Sequence, residues 1–476
     1  MVFSSSLFLL LFLPIFLGFY HLAATKYKNR IILIASLLFY AWGAPKFVFA
    51  IVASVIVNFY LIDFMYKSDA KRKRIWLLAI SISINLGLLL YFKYANFFID
   101  NLNGVLSSFG IVEIGWTSVV LPIGISFFTF QSLTYSIDVY RGTHKPLKTP
   151  IQYLVYIMLF PQMIAGPIVR FHEIADQIVD REALETIDNK LLGFFRFGIG
   201  LAKKVLIANV LGLEADRIFS LAETDLTTPI MWIGSLAYTF QIYYDFSGYS
   251  DMAIGLGKIL GFKFPENFNN PYVSKSITEF WRRWHITLGS FMRDYLYIPL
   301  GGSRVSSKSR LYFNLWVVFL LSGLWHGAAW NFVLWGAFHG LFLILDRIIL
   351  LRFYHIIGKY PSVLITFIIT VVGWVLFRSE SLDQAWIYLY KMFEMDFSHV
   401  DYYLDREFWI ILVVAVFFAF ITMFKVGLKL EKMFFYAEKY STKGYVASTI
   451  LFLVLMIVCI ANITSSGFNP FIYFRF

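Results

Sequence analysis

Residues 311–345 read LYFNLWVVFLLSGLWHGAAWNFVLWGAFHGLFLIL and contain no Asp, Glu, Lys or Arg. The flanking segments 293–310 and 347–359 are both basic, and loops rich in Lys and Arg favour the cytoplasmic side of a membrane. If both flanks are cytoplasmic, the stretch crosses the membrane an even number of times. Its 35 residues are short for two spans of about 20 residues each. The stretch therefore predicts short helices or a re-entrant hairpin, with the break within 323–331.

Similar uncharged stretches recur along the chain and predict a helical membrane protein. Of the 476 residues, 59% are hydrophobic and 15% are charged, against about 25% charged in an ordinary soluble domain. The candidate spans are 4–25, 31–44, 47–62, 75–92, 114–137, 228–244, 311–345, 362–377, 408–424 and 445–464, with a weaker one at 191–213. The uncharged stretch 149–169 holds Pro161, Gly166 and Pro167, which predicts a broken or re-entrant segment. We expect an all-α polytopic integral membrane protein with about 10–12 membrane-crossing or re-entrant helices.

The distribution of charge between the spans predicts the orientation of the chain. Segments 26–30, 67–74 and 425–443 are basic and are expected in the cytoplasm, whereas 378–407 has seven acidic and three basic residues and is expected outside. Both termini are then extracytoplasmic. The same bias accounts for the net charge of +11, which in a soluble protein would suggest nucleic-acid binding. Because no repeat or long linker divides the chain, residues 1–476 are predicted to form a single membrane domain.

The sequence lacks the common motifs of nucleotide, zinc-protease and serine-hydrolase sites. It has no Walker A pattern, no HExxH and no GxSxG in a strand–helix context, and its eight histidines are scattered. The one cysteine, Cys459, excludes an intramolecular disulfide. We therefore predict no metal site and no bound cofactor.

His326 is the leading candidate for a catalytic residue, because a polar residue inside an apolar span is costly and is often functional. Gly323 and Gly327 leave room beside it for a ligand or for another backbone, and Trp325 and Trp330 are suited to wall a pocket. Histidine is the usual general base near neutral pH. A buried histidine bonded to a neighbouring helix is the alternative, and position alone leaves both open.

Residues 274–298 predict an amphipathic helix that contains His285. One face of this helix consists of residues at three- and four-residue steps, namely Trp281, Trp284, Leu288, Phe291 and Tyr295. Glu279 and Arg283 lie four residues apart and are expected to pair on another face. Such a helix suits the cytoplasmic interface as an anchor, and Arg282 and Arg283 equally suit a site for the phosphates of coenzyme A.

A third polar group follows the candidate span 228–244, and its members are Asp245, Ser247, Tyr249 and Asp251. The group either lines a channel or caps a helix junction, and the sequence leaves both open. His339 lies 13 residues after His326, which in a continuous helix places the two on different sides. We expect His339 to have a packing role.

Four longer motifs resemble the membrane-bound O-acyltransferase family: YDFSGYSDMA at 244–253, PENFNNPY at 265–272, FWRRWH at 280–285 and SGLWHG at 322–327. They occur in the order and spacing of that family. Further segments are similar to its alginate O-acetylation branch, namely YAW at 40–42, LPIGISF at 121–127, FPQ at 160–162, AGP at 165–167 and NPFIYF at 469–474. The resemblance extends over essentially the whole chain.

This resemblance implies an all-helical membrane fold around a transmembrane tunnel, with His326 as the catalytic histidine and His285 as a second polar residue of the site. Contacts with the donor or the tunnel are expected from Trp281, Arg282, Arg283, Trp325, Asn331, Asp245, Ser247 and Tyr249. The resemblance also implies an acyl thioester such as acetyl-CoA as cytoplasmic donor, and a hydroxyl acceptor reached from outside. An extracytoplasmic acetyltransferase of SGNH-hydrolase type is the expected partner, and the inner membrane is the expected location.

Other functions stay open at this point. Within the family, the alternatives are D-alanyl transfer to teichoic acid and acyl transfer to another glycan. A small-molecule transporter would also contain broken helices and buried polar groups, although transporters usually show repeated halves. A non-catalytic membrane scaffold would leave His326 and its glycines unexplained.

Overall fold

The computed structural model describes residues 2–398, 402–437, 439–466 and 471–472, and all regular elements in these ranges are helices. The predicted all-α class is therefore confirmed. Six helices in these ranges are long and apolar enough to cross a membrane, when a π-helical or 3-10 turn that adjoins an α-helix is counted with it. They are Pro45–Tyr66, Lys71–Ser108, Trp330–Ile357, Lys359–Arg378, Arg406–Met423 and Thr442–Ser465. The count of about 10–12 crossing or re-entrant helices, the tunnel, the side of the termini and the single domain stay predictions. The motif at 469–474 lies outside the described residues except for 471–472.

The chain divides into two compact units, and the first comprises Met1–Lys190 and Gly257–Phe264. Its helices of nine or more residues are Leu13–Leu22, Thr25–Gly43, Val48–Tyr66, Lys71–Leu89, Ala95–Ser108, Ile125–Arg141, Pro150–Met158 and Phe171–Val179. A buried polar network joins four of them, since Asn58 donates to the Tyr153 hydroxyl at 2.6 Å and Ser81 bonds both Asn58 and Ser136. Such bonds hold helices together in a bilayer, where apolar contact with lipid competes with apolar contact between helices.

The break predicted within 149–169 is confirmed. Helix Pro150–Met158 ends at Leu159, where ψ is 105°, and the four-residue helix Phe160–Met163 follows. Pro161 has no backbone N–H to continue the first helix, and its ring excludes the helical geometry before it. The segment therefore holds non-helical backbone within an apolar, uncharged stretch.

The span predicted at 114–137 is wrong in its first part, because the helix begins only at Ile125. Residues 111–124 contain no helix. Pro122 cannot donate a helical hydrogen bond, and Gly124 has a φ of 79°, a left-handed conformation that interrupts a right-handed helix. A pattern of hydrophobic residues alone does not reveal the backbone constraints at Pro122 and Gly124.

The second unit comprises Leu191–Leu256 and Pro265–Phe476. The chain enters it through helix Ile187–Ala202, which continues as a π-helical turn at Lys203–Ala208. The helices that follow are Asn209–Phe219, Thr228–Ile259, Ile277–Arg283, Ile286–Met292, Lys308–His326, Trp330–Leu345, Leu351–Ile357, Lys359–Arg378, Leu382–Phe393, Arg406–Phe420, Lys425–Phe435 and Thr442–Ser466.

The candidate span 228–244 is the first half of a longer helix, Thr228–Ile259, which we call the long helix. The predicted span ends at the first charged residue, Asp245. The helix continues past it, because a charged residue limits the apolar stretch but does not end a helix, and the Lys204 ammonium lies 2.9 Å from the Asp245 carboxylate and neutralises it. The polar group at 245–251 therefore lies inside a helix and does not cap a junction.

Residues 311–345 form the predicted hairpin. Its first helix is Lys308–His326, its second is Trp330–Leu345, and residues 327–329 between them are not helical. The break thus falls within the predicted segment 323–331. We call these two the first and second hairpin helices.

Small residues bring the two hairpin helices into close contact. A Cβ added at Gly336 would come closer than 3.0 Å to the Phe319 carbonyl oxygen, and one at Gly323 would do the same at Phe332. Residue 319 of the first helix lies next to residue 336 of the second, and residue 323 lies next to residue 332. The numbers rise along one helix where they fall along the other, so the helices are antiparallel. The basic flanks before and after the hairpin consequently lie at the same end, as an even number of crossings requires.

Candidate active site

The end of the first hairpin helix buries His326 in an aromatic setting. His326 is the last residue of that helix and is 4% exposed. Its ring meets Trp335 and Phe377 edge to face, with centroids 5.1 and 5.2 Å away, and Trp325 at 4.9 Å. Trp330, which is expected to wall the same pocket, is instead 54% exposed. Because the helix stops here, the imidazole lies at the break in the hairpin.

His285 lies at a second break, between two short helices. Helix Ile277–Arg283 ends before it, Ile286–Met292 begins after it, and its own φ is 45°. Non-glycine residues with positive φ are strained, and they concentrate at functional sites. The continuous amphipathic helix predicted over 274–298 is therefore wrong, since helical periodicity does not carry through the left-handed residue.

The structure brings these two histidines together. The ring centroids of His285 and His326 are 6.5 Å apart, and the Trp325 ring is 6.0 Å from that of His285. Both side chains are buried. Two breaks from distant parts of the sequence thus form one site with two imidazoles, which are groups able to accept, hold and return a proton.

Asn267, which the sequence patterns do not single out, holds His285. Its Oδ1 lies 3.1 Å from His285 Nδ1 and accepts a hydrogen bond from the Thr287 hydroxyl at 2.8 Å. Its Nδ2 donates to the Ser250 hydroxyl, on the long helix, at 3.1 Å. Its position within the motif at 265–272 is the one sequence signal for it, and that motif does not reveal the contact with His285.

The aromatic residues around the second break pack into the protein. Trp284 is 2% exposed, and its ring lies 4.7 Å from that of Trp374. Trp281 meets Trp335 at 5.5 Å, and His339 packs against both rings at 5.1 and 5.0 Å. An interfacial position is therefore wrong for Trp284, whereas the surroundings of His339 agree with a packing role.

The polar side chains predicted to bind the donor have different surroundings. Arg283 makes the predicted pair with Glu279, at 2.8 and 3.0 Å, and donates to the Asn269 carbonyl at 3.1 Å. Arg282 is exposed, whereas the Arg283 side chain is 29% exposed and is engaged in these bonds. Asn331 is buried and donates to a backbone carbonyl at 2.6 Å.

The polar group of the long helix makes three kinds of contact. Asp245 pairs with Lys204 at 2.9 Å, and the Tyr249 ring packs 4.7 Å from that of Phe471. Ser247 lines a cavity of about 620 Å³. Of the three residues predicted here for the site, Ser247 is therefore the one that faces this cavity.

The cavity combines apolar walls with a buried ionic network. Arg196 lies 2.6 Å from both Asp251 and Glu266, and Lys203 lies 2.7 Å from Asp251. All four residues line the cavity, as does Asn267. The cavity therefore reaches the residue that contacts the second histidine, and these four charged side chains of its wall pair with groups of opposite charge.

Comparisons with known proteins identify the family. Residues 143–377 match the sequence signature described as MBOAT, membrane-bound O-acyltransferase family. The chain is 46% identical over 407 residues to the probable alginate O-acetylase AlgI of Pseudomonas aeruginosa, covering 84% of this chain and 75% of that protein. It is 41% identical to the probable alginate O-acetylase AlgI of Pseudomonas putida, over the full length of both. It is also 38% identical to the peptidoglycan O-acetyltransferase of Helicobacter pylori, covering 81% of this chain and 78% of that protein.

The chain belongs to the membrane-bound O-acyltransferase family. It is accordingly an acyltransferase and a multi-pass membrane protein, as the resemblance implies. The matched segment of this membrane-bound O-acyltransferase contains Asn267, His285 and His326. The two helix breaks, and Asn267 that contacts His285 at one of them, thus lie within the part of the chain that carries the family signature.

Proposed function

We propose that this acyltransferase moves acetyl groups from a cytoplasmic thioester, acetyl-CoA, across the inner membrane for O-acetylation of an exopolysaccharide of the alginate type. The observation that carries the proposal is the buried pair His326 and His285, with rings 6.5 Å apart at two helix breaks. The names of the three relatives describe O-acetyl transfer, which supports an acetyl group as cargo.

In the proposed reaction, His326 is the general base. Its imidazole takes the proton of the acceptor hydroxyl while the oxygen attacks the acetyl carbonyl carbon. The carbon–sulfur bond then breaks, and the departing thiolate takes the proton back from His326, so that an ester and a free thiol are formed. His285 positions or polarises the thioester. General base catalysis contributes about 10²–10⁴-fold, and the aromatic rings around His326 exclude water from the transfer.

The acceptor hydroxyl belongs in this proposal to an extracytoplasmic partner of SGNH-hydrolase type, which completes the transfer to the polymer. Between the helices given above the two longest connections are 260–276 and 109–124, which have 17 and 16 residues. Connections of this length are too short to form a sugar-binding domain, because an independent domain needs at least about 40–50 residues. Binding of the polysaccharide is therefore assigned most simply to a separate protein.

The experiment follows acetyl release from labelled acetyl-CoA by the purified protein with its extracytoplasmic partner. His326→Ala and His326→Gln are expected to lose at least about 10²-fold in turnover. His355→Ala is the matched control, since His355 is exposed and distant in sequence, and it should keep full turnover. Full activity of His326→Ala would place the base elsewhere. Transfer from a D-alanyl thioester but not from acetyl-CoA would mean that the transferred group is D-alanyl and not acetyl. Transport of a small molecule without any acyl transfer would mean that the protein is a transporter.

A further inference from the structure

We infer that Asn267 is a positioning residue of this acyltransferase: its side-chain oxygen keeps the neutral His285 ring protonated on Nδ1, which makes His285 Nε2 a hydrogen-bond acceptor in the site. The inference rests on the proposed function and assigns His285 a single direction of hydrogen bonding. That direction selects one of the two roles given above, because an acceptor nitrogen positions a substrate N–H or O–H and does not polarise a thioester carbonyl.

The orientation of the Asn267 amide follows from its neighbours. The backbone N–H of Thr287 points at Oδ1 from 3.3 Å, and the Thr287 hydroxyl donates to the same atom at 2.8 Å. On the other side, Nδ2 donates to the Ser250 hydroxyl at 3.1 Å. If the amide were turned over, its NH₂ group would meet the Thr287 N–H, and two donors would face each other. The oxygen therefore faces His285.

The amide oxygen in turn decides the tautomer of His285. His285 Nδ1 lies 3.1 Å from Oδ1, and an unprotonated Nδ1 would place two acceptors at hydrogen-bond distance. In the neutral ring the proton consequently sits on Nδ1, and the lone pair sits on Nε2. Because Asn267 is uncharged and fully buried, it selects the tautomer without stabilising a second proton on the ring.

The other nitrogen of His285 is available for a substrate. Nε2 is buried and has no hydrogen-bond partner among the described residues, although an unused buried acceptor destabilises a folded protein. The rings in contact with His285 are those of Phe246, Trp325 and His326, so His326 is the titratable group among these contacts. A substrate N–H or O–H that enters beside His326 can therefore satisfy Nε2.

Two substitutions at Asn267 test this inference. Asn267→Ala removes the acceptor and releases the tautomer, so turnover should fall at least about 10-fold, because a wrong tautomer disables a catalytic imidazole. Asn267→Asp keeps an acceptor of the same shape and adds negative charge, which favours the doubly protonated ring. Its activity at high pH should therefore stay close to wild type, while the acidic limb of the pH–rate profile moves to higher pH by about one unit or more.

The matched controls are Asn269→Ala and Asn269→Asp, since Asn269 lies two residues away in the same segment and is exposed. Both should keep the wild-type pH profile. A raised KM for acetyl-CoA in Asn267→Ala would identify the donor as the source of the hydrogen bond, and a raised KM for the partner would identify the acceptor hydroxyl. If wild type is active and His326→Ala is inactive, an unchanged pH profile for Asn267→Asp would overturn the inference about Asn267 and leave the proposed function standing. An inactive wild type would overturn the proposed function.

Discussion

Replacing Gly336 by alanine is expected to disable acetyl transfer while leaving the fold intact. An added Cβ there would come closer than 3.0 Å to the Phe319 carbonyl oxygen, which is nearer than real Cβ atoms approach a neighbour. The two hairpin helices must then separate by about 1 Å, and a misplacement of about 1 Å can cost about 10²-fold in turnover. Gly336 also touches Gly323, one turn before His326, so the separation acts directly on the end of the helix that carries the proposed base.

Gly340→Ala provides the matched control. Gly340 lies one turn further along the same face of the second hairpin helix, but an added Cβ there meets Phe319 and Trp316 at 3.4 Å, an ordinary van der Waals contact. The assay is turnover of labelled acetyl-CoA, the proposed donor, with the proposed extracytoplasmic partner, beside thermal unfolding in detergent. Overpacking typically costs about 1–3 kcal/mol, so Gly336→Ala should fold, with a lower midpoint. Wild-type turnover in Gly336→Ala, or an equal loss in Gly340→Ala, would refute the reasoning.

Two further predictions concern stability. Asp245→Ala removes the carboxylate that neutralises the buried Lys204, so the free energy of unfolding should fall by about 3–5 kcal/mol, measured by chemical denaturation in detergent. The double variant Asp245→Leu/Lys204→Met should recover most of this loss, and a double variant as unstable as the single would contradict the ion pair. The hydrogen bond to Asp138 raises the pKa of His172, so the pair contributes stability that is complete below about pH 6.5 and is lost as the pH rises through the raised pKa. The thermal midpoint of wild type should exceed that of His172→Asn at pH 6 and approach it at pH 9, whereas a constant difference would argue against this pair.

Several features could be predicted because they depend on neighbouring residues. The break at 323–331 follows from the length of an uncharged stretch between two basic flanks, and the break within 149–169 follows from its prolines. The pair Glu279–Arg283 follows from helical spacing over a single turn. His326 stands out because a titratable residue between two glycines at the predicted break of an apolar stretch is conspicuous without any knowledge of the fold.

The sequence by itself thus determined the membrane class, the hairpin and the family motifs, and it singled out both histidines as candidates. The tertiary structure alone decided that His285 is left-handed at a break, that its ring lies 6.5 Å from His326, and that Asn267 bonds it. It also decided which group neutralises Asp245 inside the long helix, since Lys204 comes from another helix. The physical reason is the same in each case: hydrophobicity and helical period are local, whereas the partner that satisfies a buried polar group is supplied by a segment far away in the chain.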